Sequence, residues 1–313
     1  MSTAFVFPGQ GSQSIGMLGS FAAADPVIGE TFAEASAVLG YDLWELVAQG
    51  PAEDLNATAR TQPAMLTAGV ATWRLWRKRG GQAPEIVCGH SLGEFTALVA
   101  SGVLGFADAV SLVRQRGELM QQAVPAGVGG IAAVLGLDDE VIAEACAEAA
   151  GGEVVQPVNF NSPGQVVIAG HAAAVARAMD ACKVRGAKRA VLLPMSVPAH
   201  SSLMQPAADR FGERLAAVQF ADPAIAYWSP VDGRSHAQGA GIRSLMQKQL
   251  ASPVNWTALV RALIGAGVTR FVECGPGKVL TSLNRRIEKR PDLHCEALED
   301  PASLDAALNP QGA

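Results

Sequence analysis

The chain has 313 residues, which is enough for one large domain or for a large domain with a smaller one inserted. Hydrophobic residues make up 49% of it and charged residues 17%, a balance that excludes intrinsic disorder. The formal net charge of −5 argues against nucleic acid as a partner, because phosphate binding requires a net or clustered positive charge.

The cysteines and the N-terminal segment indicate where the protein works. Its five cysteines are odd in number, widely spaced and without a C-x-x-C pair, so neither a disulfide framework nor a zinc site is indicated. Reduced thiols predict a cytoplasmic protein. The first apolar run, residues 4–7, is stopped by Pro8 and is unlike a signal peptide, and no apolar stretch is long enough to span a bilayer. We therefore expect no membrane partner.

The outer parts of the chain predict strands and helices in alternation. A buried strand is expected over residues 3–7, before a glycine-rich turn at 9–13. The later elements are helices over 61–79, 92–101 and 106–124, strands over 86–88 and 270–274, a helix ending near 286, and a short helix after Asp300 with a frayed end. This pattern predicts an α/β fold, a mostly parallel sheet with flanking helices and an α/β-hydrolase-like core.

The middle of the chain breaks that alternation. It predicts a strand over 130–135, a helix over 138–150, strands over 154–159 and 165–170, a helix over 172–186 and a strand over 189–193. The order is that of a ferredoxin-like split βαβ unit, with a hairpin turn at 161–164. We therefore expect a ferredoxin-like domain over 128–194, inserted in a large catalytic domain formed by 1–127 and 195–313.

The segment Gly89-His90-Ser91-Leu92-Gly93 lies between a predicted strand and a predicted helix, the context that a nucleophile elbow requires. Its glycines let strand and helix approach closely, which exposes the Ser91 hydroxyl at the turn. The helix N-terminus supplies free N–H groups that stabilise an oxyanion. Ser91 is therefore the candidate nucleophile, and an ordinary glycine-serine turn is the alternative.

A nucleophilic serine needs a base, and histidine is the side chain whose pKa suits that role. The candidates are His90, His171, His200, His236 and His294. The turn geometry is expected to point His90 away from the serine. His200 follows the predicted inserted domain, so we expect it in a cleft between domains. A structural histidine is the alternative reading of His200.

Arg116 lies on a predicted apolar helix face. The apolar stripe of this helix consists of Ala109, Leu112, Val113, Leu119 and Met120. A buried guanidinium keeps its charge and must find an anion. The sequence leaves open whether that anion is the carboxylate of a ligand or a carboxylate of the protein.

Taken together, these motifs resemble the malonyl-CoA:acyl carrier protein transacylases of fatty acid synthesis and, more distantly, the acyltransferase domains of polyketide synthases. The similarity runs over nearly the whole chain. It is carried by residues 7–13, 89–93, Arg116-Gly117, 157–165, 197–200, Gln249-Leu250, Pro253-Val254 with Trp256, and Glu273 with 275–277.

The resemblance implies catalytic roles for five residues. Ser91 is then the acylated nucleophile and His200 its base. The backbone N–H groups of Gln10 and Leu92 form the oxyanion hole. A backbone carbonyl near Gln249, rather than a carboxylate, orients the histidine, which agrees with a Ser-His dyad because no Asp or Glu lies in a motif suited to the third triad role.

The same resemblance implies the substrates and their contacts. Arg116 then holds the free carboxylate of a malonyl group, and Gln62 and Asn161 lie near the pocket. The reaction moves malonyl from malonyl-CoA to the phosphopantetheine thiol of an acyl carrier protein through a malonyl-serine, in two half-reactions. No metal or cofactor is required, and we expect a monomer.

Two groups of cations are candidates for docking an acidic carrier protein. One contains Lys183, Arg185, Lys188 and Arg189, and the other Lys278, Arg285, Arg286, Lys289 and Arg290. An ordinary solvated face is the alternative for either group. We expect one of them to bind the carrier protein.

Two other functions compete with acyl transfer. An acyl hydrolase can carry the same serine motif, but it would have an apolar pocket where Arg116 lies and an acid to orient His200. A carrier-binding protein without catalytic activity would have lost one of the matching residues. Ser196 to His200 matches neither the malonyl nor the methylmalonyl signature of polyketide domains, and Ala199 leaves room for a branched unit.

Overall fold

A computed structural model describes residues 2–125, 127–194 and 197–309. The predicted domain boundary at residue 195, Ser196 of the predicted motif and the end of the predicted frayed tail lie outside the described residues. None of the helices in the described ranges combines the length and the apolar composition needed to cross a bilayer.

The described residues form ten strands and fourteen α-helices. The strands are β1 Ser2–Phe7, β2 Ile86–Gly89, β3 Gly129–Leu135, β4 Val155–Ser162, β5 Gln165–His171, β6 Arg189–Leu192, β7 Ala226–Ser229, β8 Arg234–His236, β9 Val268–Glu273 and β10 His294–Ala297. The helices are α1 Gly19–Ala24, α2 Val27–Leu39, α3 Leu43–Gln49, α4 Ala52–Asn56, α5 Thr58–Lys78, α6 Gly93–Ala100, α7 Phe106–Ala123, α8 Asp139–Ala149, α9 Ala172–Val184, α10 Gln205–Ala216, α11 Gly239–Gln249, α12 Trp256–Gly265, α13 Val279–Ile287 and α14 Pro301–Leu308, with a 3₁₀ turn at Ser202–Met204.

The larger sheet has six strands in the order β10-β9-β1-β2-β7-β8. Its neighbouring strands are parallel except for the antiparallel pair β7 and β8. The predicted α/β fold with a mostly parallel sheet and flanking helices is therefore confirmed. Phe7 at the end of β1 pairs with Gly89 at the end of β2, so the turns that follow both strands leave the sheet at the same edge.

Strand β1 shows why this sheet is covered on both faces. Successive side chains of a strand point to opposite sides, so Phe5 and Phe7 pack with α2 and α5 while Ala4 and Val6 pack with α12 and α13. The ring of Phe5 makes edge contacts with Trp73 and Trp76 of α5.

The smaller sheet has four antiparallel strands in the order β4-β5-β3-β6. Helices α8 and α9 cover one face and enclose an apolar core that includes Val134, Ile142, Val166, Ile168 and Val175. The predicted strand-helix-strand-strand-helix-strand order is present, and each predicted end lies within three residues of the observed one.

Strand β4 joins the two sheets. Its residue Asn159 forms an isolated parallel bridge with Val254, just before α12. The Phe160 N–H donates to the Val254 carbonyl at 2.9 Å, and the Val254 N–H donates to the Val158 carbonyl at 2.9 Å. The smaller sheet therefore stands next to the edge of the larger one where β1 and β2 end, and residues of both contribute to the cavity described below.

Candidate active site

Ser91 occupies a sharp turn between β2 and α6. Its φ angle of 52° is in the left-handed region, which non-glycine residues rarely adopt. The turn requires glycine on both sides: a Cβ at Gly89 would lie 2.0 Å from the Gly93 carbonyl carbon, and one at Gly93 would lie 2.0 Å from the Phe7 oxygen. The close approach of strand and helix fixes the serine at the start of α6, as a nucleophile elbow requires.

His200 lies beside the serine, with Nε2 2.7 Å from Ser91 Oγ. The other ring nitrogen, Nδ1, faces two main-chain oxygens, those of Gln249 at 2.9 Å and Ser252 at 3.1 Å. Because a carbonyl oxygen only accepts hydrogen bonds, these partners assign the proton to Nδ1 and leave the Nε2 lone pair for the serine hydroxyl. The imidazole is thus oriented as a base by the backbone.

The surroundings of His200 keep its ring neutral. Burial, the largest cause, and the nearby positive charge of Arg116 together lower the pKa of His200 to about 3, against the two backbone hydrogen bonds that raise it. At neutral pH the ring therefore carries no charge and can accept a proton. His200 has φ of 65°, so both members of the pair adopt left-handed backbone conformations.

Arg116 lies on α7 and its side chain is 1% exposed. A Cβ at the next residue, Gly117, would lie 2.8 Å from Ala59 Cα, so α7 and α5 pack in close contact here. The guanidinium donates from Nη1 to Gln62 Oε1 at 2.9 Å and from Nη2 to Gln249 Oε1 at 2.8 Å. A longer contact of 3.4 Å joins Nη2 to Ser91 Oγ.

In the described part of the chain, the side chains that accept hydrogen bonds from the Arg116 guanidinium are neutral. Its Nε atom has no hydrogen-bond partner there. Burial lowers its pKa to about 10, and Glu94 acts in the opposite direction. The guanidinium therefore stays protonated at neutral pH. Its Nε–H group is free to donate to a ligand, and the Ser91 hydroxyl lies beside it. Of the two anions left open by the sequence, this geometry favours the carboxylate of a ligand.

A buried carboxylate, Glu94, lies behind these groups. Its Oε1 atom accepts from Gln249 Nε2 at 2.8 Å, and Oε2 accepts from the hydroxyl groups of Ser229, at 2.7 Å, and Tyr227. Burial raises the pKa of Glu94 to about 7, against the hydrogen bonds that lower it. Sequence reasoning missed Glu94, although a carboxylate in the apolar helix α6 is the same kind of signal that identified Arg116.

The backbone N–H groups of Gln10 and Leu92 are the predicted donors of the oxyanion hole. Gln10 lies in the turn after β1, and Leu92 is the N-cap of α6. The His90 N–H donates to the Phe7 carbonyl at 3.0 Å, which ties the two turns together. Within residues 2–125, 127–194 and 197–309, neither predicted donor has a hydrogen-bond acceptor, so both are available to a ligand.

A cavity of about 80 Å³ opens onto the serine. It is lined by Gln10, His90, Ser91, Leu92, Arg116, Met120, Ile131, Asn159, Ala199 and His200. The larger sheet and its helices provide the reactive groups, while Ile131 and Asn159 come from the smaller sheet. Met120, Ile131 and Asn159 were not predicted; Met120 could have been, because it lies one helical turn after Arg116.

Three predicted residues lie behind the lining of this cavity. Gln62 and Gln249 hold the guanidinium from behind, and Asn161 Oδ1 lies 2.9 Å from His90 Nε2. His90 is also among the residues that line the cavity, and the expectation that its side chain points away from the serine stays a prediction. Its neighbours explain the position: the ring packs beside Trp256 and meets Asn161.

Comparisons with known proteins show which family this chain belongs to. The family described as "Acyl transferase domain" matches residues 4–296. The malonyl CoA-acyl carrier protein transacylase of Salmonella typhimurium is 57% identical over 305 residues, covering 97% of this chain and 98% of its own. An acyl carrier protein S-malonyltransferase from Vibrio cholerae, solved as a crystal structure, is 55% identical with a TM-score of 0.95, covering 98% of this chain and 100% of its own.

A second solved structure is a malonyl-transacylase in complex with a type II PKS acyl-carrier protein. It is 52% identical, has a TM-score of 0.97 and covers 99% of this chain and 100% of its own. Fold, site and comparisons together define an acyltransferase. Within that class, the chain belongs to the family of malonyl CoA-acyl carrier protein transacylases.

Proposed function

We propose that the chain transfers the malonyl group of malonyl-CoA to the phosphopantetheine thiol of an acyl carrier protein, through a malonyl ester of Ser91, for fatty acid synthesis. One observation carries the proposal: the Ser91 hydroxyl oxygen lies within reach of both His200 Nε2, at 2.7 Å, and Arg116 Nη2, at 3.4 Å. A base and a fixed cation on one serine suit a short acyl thioester that ends in a carboxylate.

In the first half-reaction, His200 Nε2 takes the proton of Ser91 as Oγ attacks the thioester carbonyl carbon. The negative charge that develops on the carbonyl oxygen is received by the N–H groups of Gln10 and Leu92; losing one such donor costs about 3 kcal/mol in comparable sites. The C–S bond then breaks, His200 returns its proton to the leaving sulfur, and CoA departs as a thiol. The product is a malonyl ester of Ser91.

The second half-reaction runs through the same atoms in reverse. The phosphopantetheine thiol of the carrier enters, His200 accepts its proton, and the sulfur attacks the malonyl ester. The C–O bond breaks, the serine oxygen regains the proton from His200, and malonyl leaves on the carrier. The Nδ1 contacts with the carbonyls of Gln249 and Ser252 support this role, because they keep a proton on Nδ1, so the ring returns to the same neutral tautomer each time Nε2 gives up its proton.

Arg116 is proposed to bind the free carboxylate of the malonyl group. Its spare Nε donor and its Nη2 group beside the serine support a charge-assisted contact with an acid three carbons long. Gln62 and Gln249 hold the guanidinium in place, and Asn161 supports the His90 side of the cavity. Because the cation has no protein carboxylate in contact among the described residues, a neutral acyl group leaves its charge unpaired.

The exposed cations Lys188 and Arg189 are proposed to dock the carrier protein. In the same cluster Lys183 pairs with Asp180 at 2.9 Å and Arg185 pairs with Glu148, so part of the positive charge is already neutralised. Lys188 and Arg189 stand at the start of β6, an edge strand of the smaller sheet that precedes the segment leading to His200. Arg189 pairs with Leu135 of β3, the strand that also carries Ile131 of the cavity lining.

We also propose the finer organisation of the chain. Residues 128–194 form a ferredoxin-like domain inserted in a hydrolase-like catalytic domain of residues 1–127 and 195–313; the antiparallel order β4-β5-β3-β6 and the elbow at Ser91 support this division. The protein acts as a cytoplasmic monomer. Its five cysteines are all free and buried, as suits a reducing compartment.

Mass spectrometry of the intact protein tests the proposed function. After mixing with malonyl-CoA, the natural chain is expected to gain one malonyl group and Ser91→Ala none. Addition of the phosphopantetheinylated carrier should then remove the group from the serine and place it on the carrier. Release of free malonate at the same rate, with the carrier left unmodified, would identify a hydrolase and overturn the proposal.

A further inference from the structure

The buried carboxylate of Glu94 takes no part in the transfer steps proposed above. Glu94 is the second residue of α6, and its side chain is fully buried. The helix around it is apolar, with Phe95, Ala97 and Leu98 in the main hydrophobic core. A carboxyl group in such a place has lost its hydration, and hydrogen bonds donated by protein groups compensate for that loss. The groups that donate to Glu94 therefore indicate its role.

The two oxygens of Glu94 have different partners. Oε2 accepts from the hydroxyl groups of Tyr227 and Ser229, which belong to β7. Oε1 accepts from the side-chain amide of Gln249 at 2.8 Å. The first set anchors the carboxylate to the larger sheet, and the second connects it to the residue that contacts the active-site groups.

Gln249 touches all three groups of the site. Its Nε2 atom donates to the Ser91 carbonyl at 2.8 Å as well as to Glu94, its Oε1 atom accepts from Arg116, and its main-chain oxygen accepts from His200. A side-chain amide turned by half a rotation would place its NH₂ group against the guanidinium, where two donors would oppose each other. The orientation of this amide therefore matters for where the guanidinium lies.

Glu94 and the Ser91 carbonyl together fix that orientation. The Ser91 carbonyl oxygen and Glu94 Oε1 both accept from Gln249 Nε2, so they bind the two hydrogens of the amide and leave its oxygen for Arg116. Without the acceptor at Glu94, one amide hydrogen would be buried and unsatisfied, which costs enough free energy to favour a different side-chain position.

We propose that Glu94 is a positioning residue for acyl selectivity: its Oε1 atom holds the Gln249 amide so that the amide oxygen faces Arg116 and keeps the guanidinium beside Ser91. This inference rests on the proposed function, and it assigns selectivity to a residue that never touches the substrate. Its signature is the ratio of malonyl to acetyl loading on Ser91, because a displaced guanidinium penalises the acyl group that carries a carboxylate.

Two variants separate the hydrogen bond from the charge. Glu94→Gln removes the charge and keeps an oxygen at the same reach for Gln249, with its own NH₂ group turned towards the hydroxyls of Tyr227 and Ser229. Glu94→Asp keeps the charge but withdraws the acceptor by one methylene. We expect Glu94→Gln to keep the natural loading ratio and Glu94→Asp to lower it by about tenfold, the usual weight of a hydrogen bond to a charged group.

Ser229→Ala is the matched control for stability. It removes a donor to Oε2 and leaves the contact of Oε1 with Gln249, so the thermal midpoint should fall while the loading ratio stays natural. The ratios come from competition between malonyl-CoA and acetyl-CoA, read as intact mass. A natural ratio in Glu94→Asp, or a lowered ratio in Glu94→Gln, would overturn the inference. Failure of the natural chain to load malonyl at all would instead overturn the proposed function.

Discussion

The two sheets of this protein bury different kinds of side chain. The core of the smaller sheet, under α8 and α9, is built from apolar side chains such as Val134, Ile142 and Ile168. Where β1 and β2 of the larger sheet end, Glu94, Arg116, His200 and Gln249 are all buried and hydrogen-bonded to one another or to Ser91. Buried charge is costly, so a region that concentrates it is expected to serve chemistry rather than stability.

The largest expected effect separates the two regions most clearly. His200→Ala should slow malonylation of Ser91 by about a thousandfold, because the serine loses the base that takes its proton. Rapid mixing with malonyl-CoA followed by acid quench and intact-mass measurement gives the rate, and a melting curve shows whether the fold is kept. A rate within tenfold of the natural one would mean that another group accepts the proton.

A substitution in the smaller sheet should have the opposite signature. Ile168 on β5 is fully buried, and Ile168→Ala should lower the free energy of unfolding by about 2–5 kcal/mol because it leaves a cavity. Urea unfolding followed by circular dichroism measures the change. Malonylation per folded molecule should stay near the natural rate. A loss of rate comparable to that of His200→Ala would show that the core of the smaller sheet also contributes to catalysis.

In both regions, the sequence predicted those helices and strands that a pattern of neighbouring residues identifies. Helix α5, strand β2, helix α6 and the six elements of the smaller sheet were expected close to their observed ends. The short strands β7, β8 and β10 were not predicted, because no motif or predicted neighbouring element marks them, whereas the Gly-x-Ser-x-Gly turn marks the four-residue β2. Their places depend on neighbours in the larger sheet.

The sequence predicted those site residues that a single motif identifies. It did not predict contacts between residues that lie far apart in the chain. Ser91 follows from its glycines and Arg116 from an apolar helix face. The contacts that give these residues their roles join Arg116 to Gln249 across 133 positions and Glu94 to Ser229 across 135. No local spacing encodes such pairings, so the buried network around Gln249 required the three-dimensional structure.

The pH dependence of acylation tests whether the charge of Arg116 acts on His200. The pKa of His200 is lowered to about 3, first by burial and then by Arg116, so the ring stays neutral as pH falls from 7 towards that value. Arg116→Met removes one cause of the lowering and should move the acid limb of kcat/KM for acetyl-CoA to higher pH. The profile is measured over the range in which circular dichroism remains native. An acid limb of kcat/KM at the same pH in Arg116→Met and the natural chain would show that the guanidinium does not act on His200.

The smallest expected effect concerns the surface of the smaller sheet. Lys188→Glu with Arg189→Glu should raise the KM for the carrier protein severalfold, because two cations facing an acidic partner become repulsive, and should leave the KM for malonyl-CoA unchanged. Steady-state transfer with each substrate varied in turn gives both values. Arg210→Glu with Arg214→Glu, at two exposed arginines on α10, gives the same change in net charge and is the control. Equal carrier KM values in the two double variants would contradict the proposed docking surface.

Competition between two acyl groups at one serine tests whether Arg116 binds the malonyl carboxylate. Arg116→Ala is mixed with equal amounts of malonyl-CoA and acetyl-CoA, and the adducts on Ser91 are weighed beside those of the natural chain. We expect malonyl loading to collapse while acetyl loading persists or rises, because the serine and His200 remain and the cation that pairs with the acid is gone. Malonyl and acetyl loading that fall together, or a natural preference for malonyl, would contradict it.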